Sequence, residues 1–509
     1  MVIERIRLAE LMAALSLATD LGMGQPLEQA LRTCLIALDL GERLGVTAEE
    51  QSDVFYTALL RFVGCTADAH EFAWLAGGDD IALRAAIAPV LGASPREFAA
   101  TVIPGIGAGH GPLQRVQLAA RMMTSGKATA RAGVIAGCEV AESLAIRLDL
   151  SEGVRAALAA GLEQWNGGGL PRGIAGDAIP LASRIVFVAR DAEVLHRIRG
   201  DEAAAAALRA RRAHAYDPAV VDAALAGSDA VQHAAAAPLW DEVLRREPEP
   251  HPRVPEARVD SVLGVFADFV DLKSPYTAGH SRAVAYLAAA ADAEHSGALR
   301  RAALVHDIGR ASVPNGIWEK AGPLTDGEWE RVRLHAYFSE RIITRVGALR
   351  PLARLAGMHH ERLDGSGYHR GSTRSELPVP ARILAAADAY QAMTQARPHR
   401  AALSDDGAAA ALESMGTAGR LDRDAVSAVL DAAGHDRRPP KQVLPAGLTE
   451  REVEVLRLIC RGATKKGVAQ RLSISARTAD HHVRHIYEKA DVRSRAGATL
   501  FALEHDLLR

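Results

Sequence analysis

Residues 303–310 read ALVHDIGR, and this short stretch decides how the chain is organised. An apolar run, Ala303 to Val305, leads directly into His306 and Asp307 and then into Ile308-Gly309. Charged groups do not enter an apolar stripe unless something pairs with them. For an imidazole beside a carboxylate, a metal cation is the most economical partner. Around this centre lie DLKSPYTAGHS (271–281), MHHERLDGSGYH (358–369) and AAADAYQAM (385–393). Together they place His280, His306, His335, His359 and His360 with Asp307 and Asp388 in apolar or helix-like settings. That mix of imidazole nitrogen and carboxylate oxygen suits hydrolytic Zn, Mn, Fe or Ni sites. A lone histidine of this kind is usually a satisfied core residue. A whole set is not, because each buried imidazole needs its own partner.

The chain has 509 residues, which suggests roughly three domains of about 150 residues each. Its apolar fraction is carried by Ala, Leu and Val, and only 4% of residues are aromatic. Such a composition predicts an almost entirely α-helical protein. The net charge of −2 says nothing about partners for the molecule as a whole, so any nucleic-acid or membrane affinity must come from a local patch. Cys34, Cys65, Cys138 and Cys460 are scattered and form no CxxC, which reads as reduced, mostly buried thiols. The opening MVIERIRLAELMAAL is amphipathic and has charges inside it, unlike a leader. No apolar run reaches the ~18 residues of a membrane span. A cytoplasmic protein without membrane partners is expected.

Two proline-rich, charged segments, REPEPHPRVPEAR (246–258) and HDRRPPKQVLPAG (435–447), read as linkers. They divide the chain into about 1–240, 258–435 and 447–509. The first two parts form a repeat. GLEQWNGGGLPRGIAGDAIPLASRI from Gly161 aligns with HHERLDGSGYHRGSTRSELPVPARI from His359 at an offset of 198, sharing Glu163 with Glu361. TALLRFVGC likewise aligns with AALVHDIGR, and the difference in offset places added helices near 75–120 in the first copy. In that copy Arg61-Phe62 replaces His306-Asp307, Gly161-Leu162 replaces His359-His360, and Arg190 replaces Asp388. Every matched ligand position is non-ligating. The first copy keeps the scaffold without the metal chemistry, for packing, dimerisation or ligand sensing.

His306-Asp307-Ile308-Gly309, then Lys320-Ala-Gly-Pro-Leu, His335 and HHERLDGSGYH, resemble the HD-GYP family of metal-dependent phosphodiesterases over about residues 262–430. The resemblance implies tandem HD-like helical bundles, the first degenerate, and a binuclear centre of two divalent ions such as Fe or Mn. Asp307 bridges them, and His280, His306, His335, His359, His360 and Asp388 serve as terminal ligands. Two cations about 3.5–4 Å apart clamp a phosphoryl oxygen and make a water nucleophilic at neutral pH. Arg310 stands where the family usually has a lysine that meets the scissile phosphate, and arginine differs in bulk and geometry. Tyr276 stands where some members carry a glutamate for a third metal, so two metals are expected. Asp364, Gly365, Gly367 and Tyr368 form the loop beside the metals and are implied substrate contacts. His369 replaces the family's proline there, which is expected to loosen the loop. Arg362, Arg382 and Arg397 are candidates for phosphate or interface contacts. The implied substrate is cyclic di-GMP, opened to pGpG and onward to GMP. A catalytically weak nucleotide sensor and a hydrolase of another phosphoester remain open alternatives.

Residues 448–503 resemble the LuxR/NarL type of helix-turn-helix domain, built on four helices. Thr449 with Glu452 forms a capping box, Gly462 ends the first helix, and Lys466 to Leu472 is a short second one. Ser475 caps a recognition helix over 476–489 that buries Val483 and Ile486 and presents Arg477, Thr478, His481, His482, Arg484 and His485. From 441 onward 13 Lys+Arg stand against 8 Asp+Glu, the charge footprint of a DNA reader. Lys465, Lys466, Arg477 and Lys489 are expected at phosphates, and His481 and Arg484 at base edges. Asp480 lies where many relatives have a DNA-facing lysine. Such readers bind paired half-sites, so a homodimer on DNA is expected.

Overall fold

The computed structural model describes residues 6–227, 238–434 and 444–508. Most of the second linker, 435–447, falls outside the described residues. Apart from one antiparallel pairing of Ile6–Arg7 with Arg253–Val254, the regular elements among the described residues are helices, as the composition implies. No described helix is long and apolar enough to cross a membrane.

The chain packs into two compact bodies. One runs to Pro255 and takes in Pro314–Gly316; the other comprises Glu256–Val313 and the chain from Ile317 onward. In the first body the helix Leu8–Gly22 is almost wholly buried, Gln29–Leu44 and Ala48–Leu60 pack on it and on each other, and Leu181–Arg199 packs on those two. The proline-rich stretch after Arg245 closes this body. Glu247, 4% exposed, pairs with Arg7 and accepts from the Tyr56 hydroxyl at 2.8 Å. The residues inserted in the first copy form helices Ala69–Ala76, Asp80–Ile87 and Pro95–Val102 over their own small core of Leu75, Leu83, Val90 and Leu118.

In the second body, Glu256–Asp271, His280–Ala291, Ser296–Val305, Asp326–Ile343, Arg350–Gly357 and Val379–Thr394 form the bundle that carries the histidines. Helices Glu450–Cys460, Lys465–Arg471, Ala476–Lys489 and Arg495–Glu504 follow, around a core of Val453, Leu456, Ile459, Val468, Val483 and Ile486. The capping box at Thr449 is formed, with Glu452 returning to the Thr449 amide at 2.8 Å. Thr464 caps the second helix one residue earlier than the apolar spacing indicates, giving Lys465–Arg471 rather than 466–472.

Candidate metal centre and nucleic-acid interface

Helix ends and one glycine gather the histidines. Gly309 is required because a Cβ there would lie 2.0 Å from the His335 carbonyl oxygen, so the helix Asp326–Ile343 passes directly over the His306-Asp307 turn. The Gly309 amide donates to Ser339 Oγ at 2.9 Å, fixing that crossing. His280 opens its helix. Asp271 anchors the helix start by accepting from the Ser281 amide and hydroxyl, both at 2.8 Å. Burial pushes the Asp271 carboxyl up to about 7.

Asp307 sits at the centre, 2% exposed, and its two oxygens face different imidazoles. Oδ1 lies 3.2 Å from His335 Nε2 and 3.4 Å from His359 Nε2. Oδ2 lies 3.5 Å from His306 Nε2 and 3.8 Å from His280 Nε2. Asp388 closes the far side, with Oδ1 3.1 Å from His280 Nε2 and Oδ2 3.3 Å from His360 Nδ1. Asp307, His335, His359 and His360 form one donor group of metal-binding dimensions, and His280, His306 and Asp307 form another. All seven ligand residues named from the sequence therefore converge.

The donor atoms fit a cation. His306 and His359 donate Nδ1–H to the carbonyls of Ala303 and Ala356 at 2.6 Å, and His335 bonds the Val332 carbonyl. His280 Nδ1 meets Gln395 Oε1 at 3.0 Å. Such back-bonds fix the ring and leave Nε2 as the ligand atom. His306 Nε2 and Asp307 Oδ1 are buried without a hydrogen-bond partner, which is costly unless a cation takes them. Burial holds His280, His359 and His360 below the ordinary histidine range, His359 down to about 4, so these imidazoles are neutral and available. His306 is buried too, but Asp307 and Asp388 hold it up to about 9.

Arg310 places an amino group 2.8 Å from Asp307 Oδ2 and its guanidinium 4.0 Å over the Trp318 ring. Tyr368 packs on His360, ring centroids 4.2 Å apart. Arg397 is half-buried near both aspartates and holds the Tyr276 carbonyl and Gln395. Arg382 is tied instead to Asp422 at 3.1 Å. Asp364 is not brought into the cluster: it is exposed, and its carboxylate closes a turn onto the Ser366 amide at 3.0 Å. The loop it begins is not loose for want of proline at His369. Glu361, 1% exposed, accepts from the amides of Arg370 at 3.2 Å and Ser372 at 2.8 Å, and Arg370 pairs with Glu340 at 2.6 Å. Gln395, Asp271 and Trp318 were not legible as site residues, since only tertiary packing brings them there.

The first copy repeats this loop. Glu163 accepts from the amides of Arg172 at 2.7 Å and Gly173 at 3.0 Å. Gly169 and Gly367 both lie where a Cβ would meet Cα of the respective glutamate at 2.5 Å. Gly137, at the same offset of 198, occupies the position of His335. A Cβ on Gly64, the counterpart of Gly309, would lie 1.9 Å from the Gly137 carbonyl oxygen.

In the C-terminal domain Arg477, Thr478, His481, Arg484 and His485 are exposed on the helix Ala476–Lys489 while Val483 and Ile486 are buried, and His482 is half-buried. Ser475 caps that helix through the Thr478 amide at 3.0 Å. Asp480 is engaged within the domain, pairing with Lys465 and lying 3.3 Å from Arg484. Lys489 is likewise taken, by Glu452 and the Gly447 carbonyl at 2.8 and 2.9 Å, so it is a structural tie rather than a free phosphate contact. Lys466 is exposed.

A histidine–aspartate metal site in a helical bundle, followed by a helix-turn-helix reader, defines a metal-dependent phosphohydrolase coupled to a DNA-binding module. The HD-domain model matches residues 110–220 and again 262–425, and the model for bacterial regulatory proteins of the luxR family matches 446–502. Over 417 residues the chain is 34% identical to 3'3'-cGAMP-specific phosphodiesterase 3 of Vibrio cholerae, covering 80% of this chain and 90% of that one. It is 42% identical over 101 residues to a cyclic di-GMP phosphodiesterase of Thermotoga maritima, 19% of this chain and 27% of that one. The crystal structure of a cyclic GMP-AMP-specific phosphodiesterase of V. cholerae superposes with a TM-score of 0.58 at 28% identity, covering 85% of this chain and 99% of that one. The chain belongs to the HD-domain phosphodiesterases of the HD-GYP type and carries a LuxR-type DNA-binding domain. Phosphodiesterases of this family are metal-dependent.

Proposed function

We propose that the second HD copy hydrolyses a cyclic dinucleotide at a centre of two divalent ions, Fe or Mn, and that a homodimer of the chain on DNA answers to that nucleotide. The observation that carries the reading is the division of Asp307, with one oxygen toward His335 and His359 and the other toward His280 and His306. His335, His359 and His360 would hold one ion and His280, His306 and Asp388 the other, with Asp307 between them. The ions would supply charge neutralisation at the phosphodiester and an activated water. Arg310 adds a fixed positive charge beside Asp307 and is placed to meet a phosphate oxygen. Tyr368, packed on His360, offers an aromatic face to a base, and Gly365 and Gly367 let the loop backbone approach. The relative named for 3'3'-cGAMP matches 80% of the chain and the one named for cyclic di-GMP 19%, so 3'3'-cGAMP stands ahead of cyclic di-GMP as the substrate. A chain that reads DNA works where bacterial DNA is, in the cytoplasm.

The test is metal content and turnover on protein purified without oxygen, with and without added manganese. The panel is 3'3'-cGAMP, cyclic di-GMP and a generic phosphodiester. Two metals per chain and a linear dinucleotide product support the reading. Bound metal without turnover of either cyclic dinucleotide would move the domain to the sensor reading, and absence of metal would overturn the assignment of the histidines.

A further inference from the structure

The strongest unassigned feature lies in the first copy. A cavity of about 290 Å³ occupies the place of the missing metal centre, just below the roughly 300–1,000 Å³ range of ligand pockets. Arg61, Phe62, Gly137, Gly161, Leu162 and Arg190 line it, and each stands at a position where the second copy has a ligand. The space left by the imidazoles is therefore open, and the charge at its end has changed sign.

That charge is only partly compensated by the protein. All three guanidinium nitrogens of Arg61 are shut off from solvent and have no hydrogen-bond partner; the group rests on aromatic rings, 4.8 Å from the Phe187 centroid and 5.6 Å from that of Phe62. Arg190, 1% exposed, gives one amino group to the Ala88 carbonyl and to Asp191, and its Nε is also unpartnered. Asp191 is already saturated by Arg190 and the Tyr216 hydroxyl, with Arg211 3.7 Å away. The other charged pair on the wall, Asp68 with Arg84, neutralises itself. Arg61 and Arg190 thus depend on one carboxylate that Arg211 also approaches. Burial and the neighbouring Arg190 hold the Arg61 guanidinium down to about 10, which leaves it charged at neutral pH. A buried cation without a partner is strongly unfavourable. The rest of the wall is largely apolar, including Phe98, Val134 and Leu170.

We infer that the first copy binds a small organic monoanion with an apolar body, its carboxylate seated on Arg61 beside Arg190 and its body among the apolar side chains of the cavity. The metal site has become an anion site on the same scaffold. This inference does not rest on activity in the second copy.

The test uses the full chain and calorimetric titration, with octanoate and 4-phenylbutyrate as probes and octanol, octylamine and inorganic phosphate as controls. Octanoate or phenylbutyrate is expected to bind at least about tenfold more tightly than octanol, and octylamine and phosphate not at all, because recognition needs both the charge and the apolar body. Arg61→Leu is expected to abolish binding of the anions and to raise the melting temperature of the ligand-free chain, since it removes an unpaired buried charge. Arg61→Lys should keep part of the binding. Octanol binding as well as octanoate, anion binding unchanged in Arg61→Leu, a ligand-free Arg61→Leu chain that melts lower than the parent, or no binding of either anion would each overturn the proposal.

Discussion

Replacing Glu361 by glutamine tests what holds the loop beside the metal centre. The carboxylate accepts two amides, the part-buried one of Arg370 at 3.2 Å and the buried one of Ser372 at 2.8 Å. Glutamine keeps the volume but offers one acceptor oxygen, so one N–H faces an amide nitrogen instead. A charge-assisted hydrogen bond is worth about 1.5–3 kcal/mol, and a buried N–H left unsatisfied costs about 1–3 kcal/mol. Relief from burying the carboxylate offsets part of this, so the lower range applies, about 2 kcal/mol of local stability. At about 1.4 kcal/mol per factor of ten, protection of the Arg370 and Ser372 amides in hydrogen exchange should fall about 30-fold. Glu163→Gln should weaken protection of Arg172 and Gly173 by a similar factor, while turnover changes less than about twofold because that loop holds no ligand. If Glu361→Gln leaves both amides within twofold of the parent, or if Glu163→Gln is silent where Glu361→Gln is not, the shared clamp is not what shapes these loops.

Four further outcomes follow from the contacts described. Asp307→Ala should bring metal content to background and lower cyclic-dinucleotide hydrolysis by on the order of 10³ or more, read by elemental analysis and product formation. Arg310→Ala should lower kcat by about 10² while metal content stays at the parent level, because Arg310 contacts Asp307 and Trp318 rather than serving as a ligand; loss of metal would refute that division of labour. Lys466→Ala should weaken DNA binding and reduce its salt dependence by about one unit of slope, whereas Lys489→Met should leave that slope unchanged and lower the melting temperature, since Lys489 is tied to Glu452. For pH, burial alone would raise Glu452, but hydrogen bonds from Lys489 and Thr449 bring it down to about 2. Its ordinary value is about 4.3, so its stabilisation is complete above that and is lost as pH falls towards about 2; Glu452→Gln should flatten melting temperature against pH in that window.

The readable part of the molecule was the part written in residue chemistry. The seven candidate ligands announce themselves because imidazole and carboxylate are out of place in apolar helices, and all seven converge. The recognition helix begins at Ala476 and ends at Lys489 as its cap and apolar spacing indicate. What stayed hidden depends on neighbours distant in sequence. Gln395 reaches His280 across 115 positions, and Trp318 meets Arg310 only through packing. Lys489 carries the right charge for a DNA contact or for a tie inside the domain, and only its partner distinguishes the two; Asp480 likewise finds its role in pairing with Lys465. Asp364 was drawn into the site by its place in a motif, while its carboxylate serves a turn. Gly137 gives no signal of its own, because a lost side chain leaves nothing to read.

The twin loops bear on how the enzyme half is put together. One copy has the glutamate clamp, the close-packed glycine and a non-ligating residue at each matched donor position; the other has the same clamp, the same glycine and the candidate donor set. The loop's shape is thus inherited from the backbone and not moulded by a cation. A chain stripped of its ions should therefore keep this region folded and reload without a refolding step. Supply of metal would then regulate the rate of catalysis directly, as a reversible occupancy on a rigid seat, and the cell could silence or restore the enzyme while the protein itself persists.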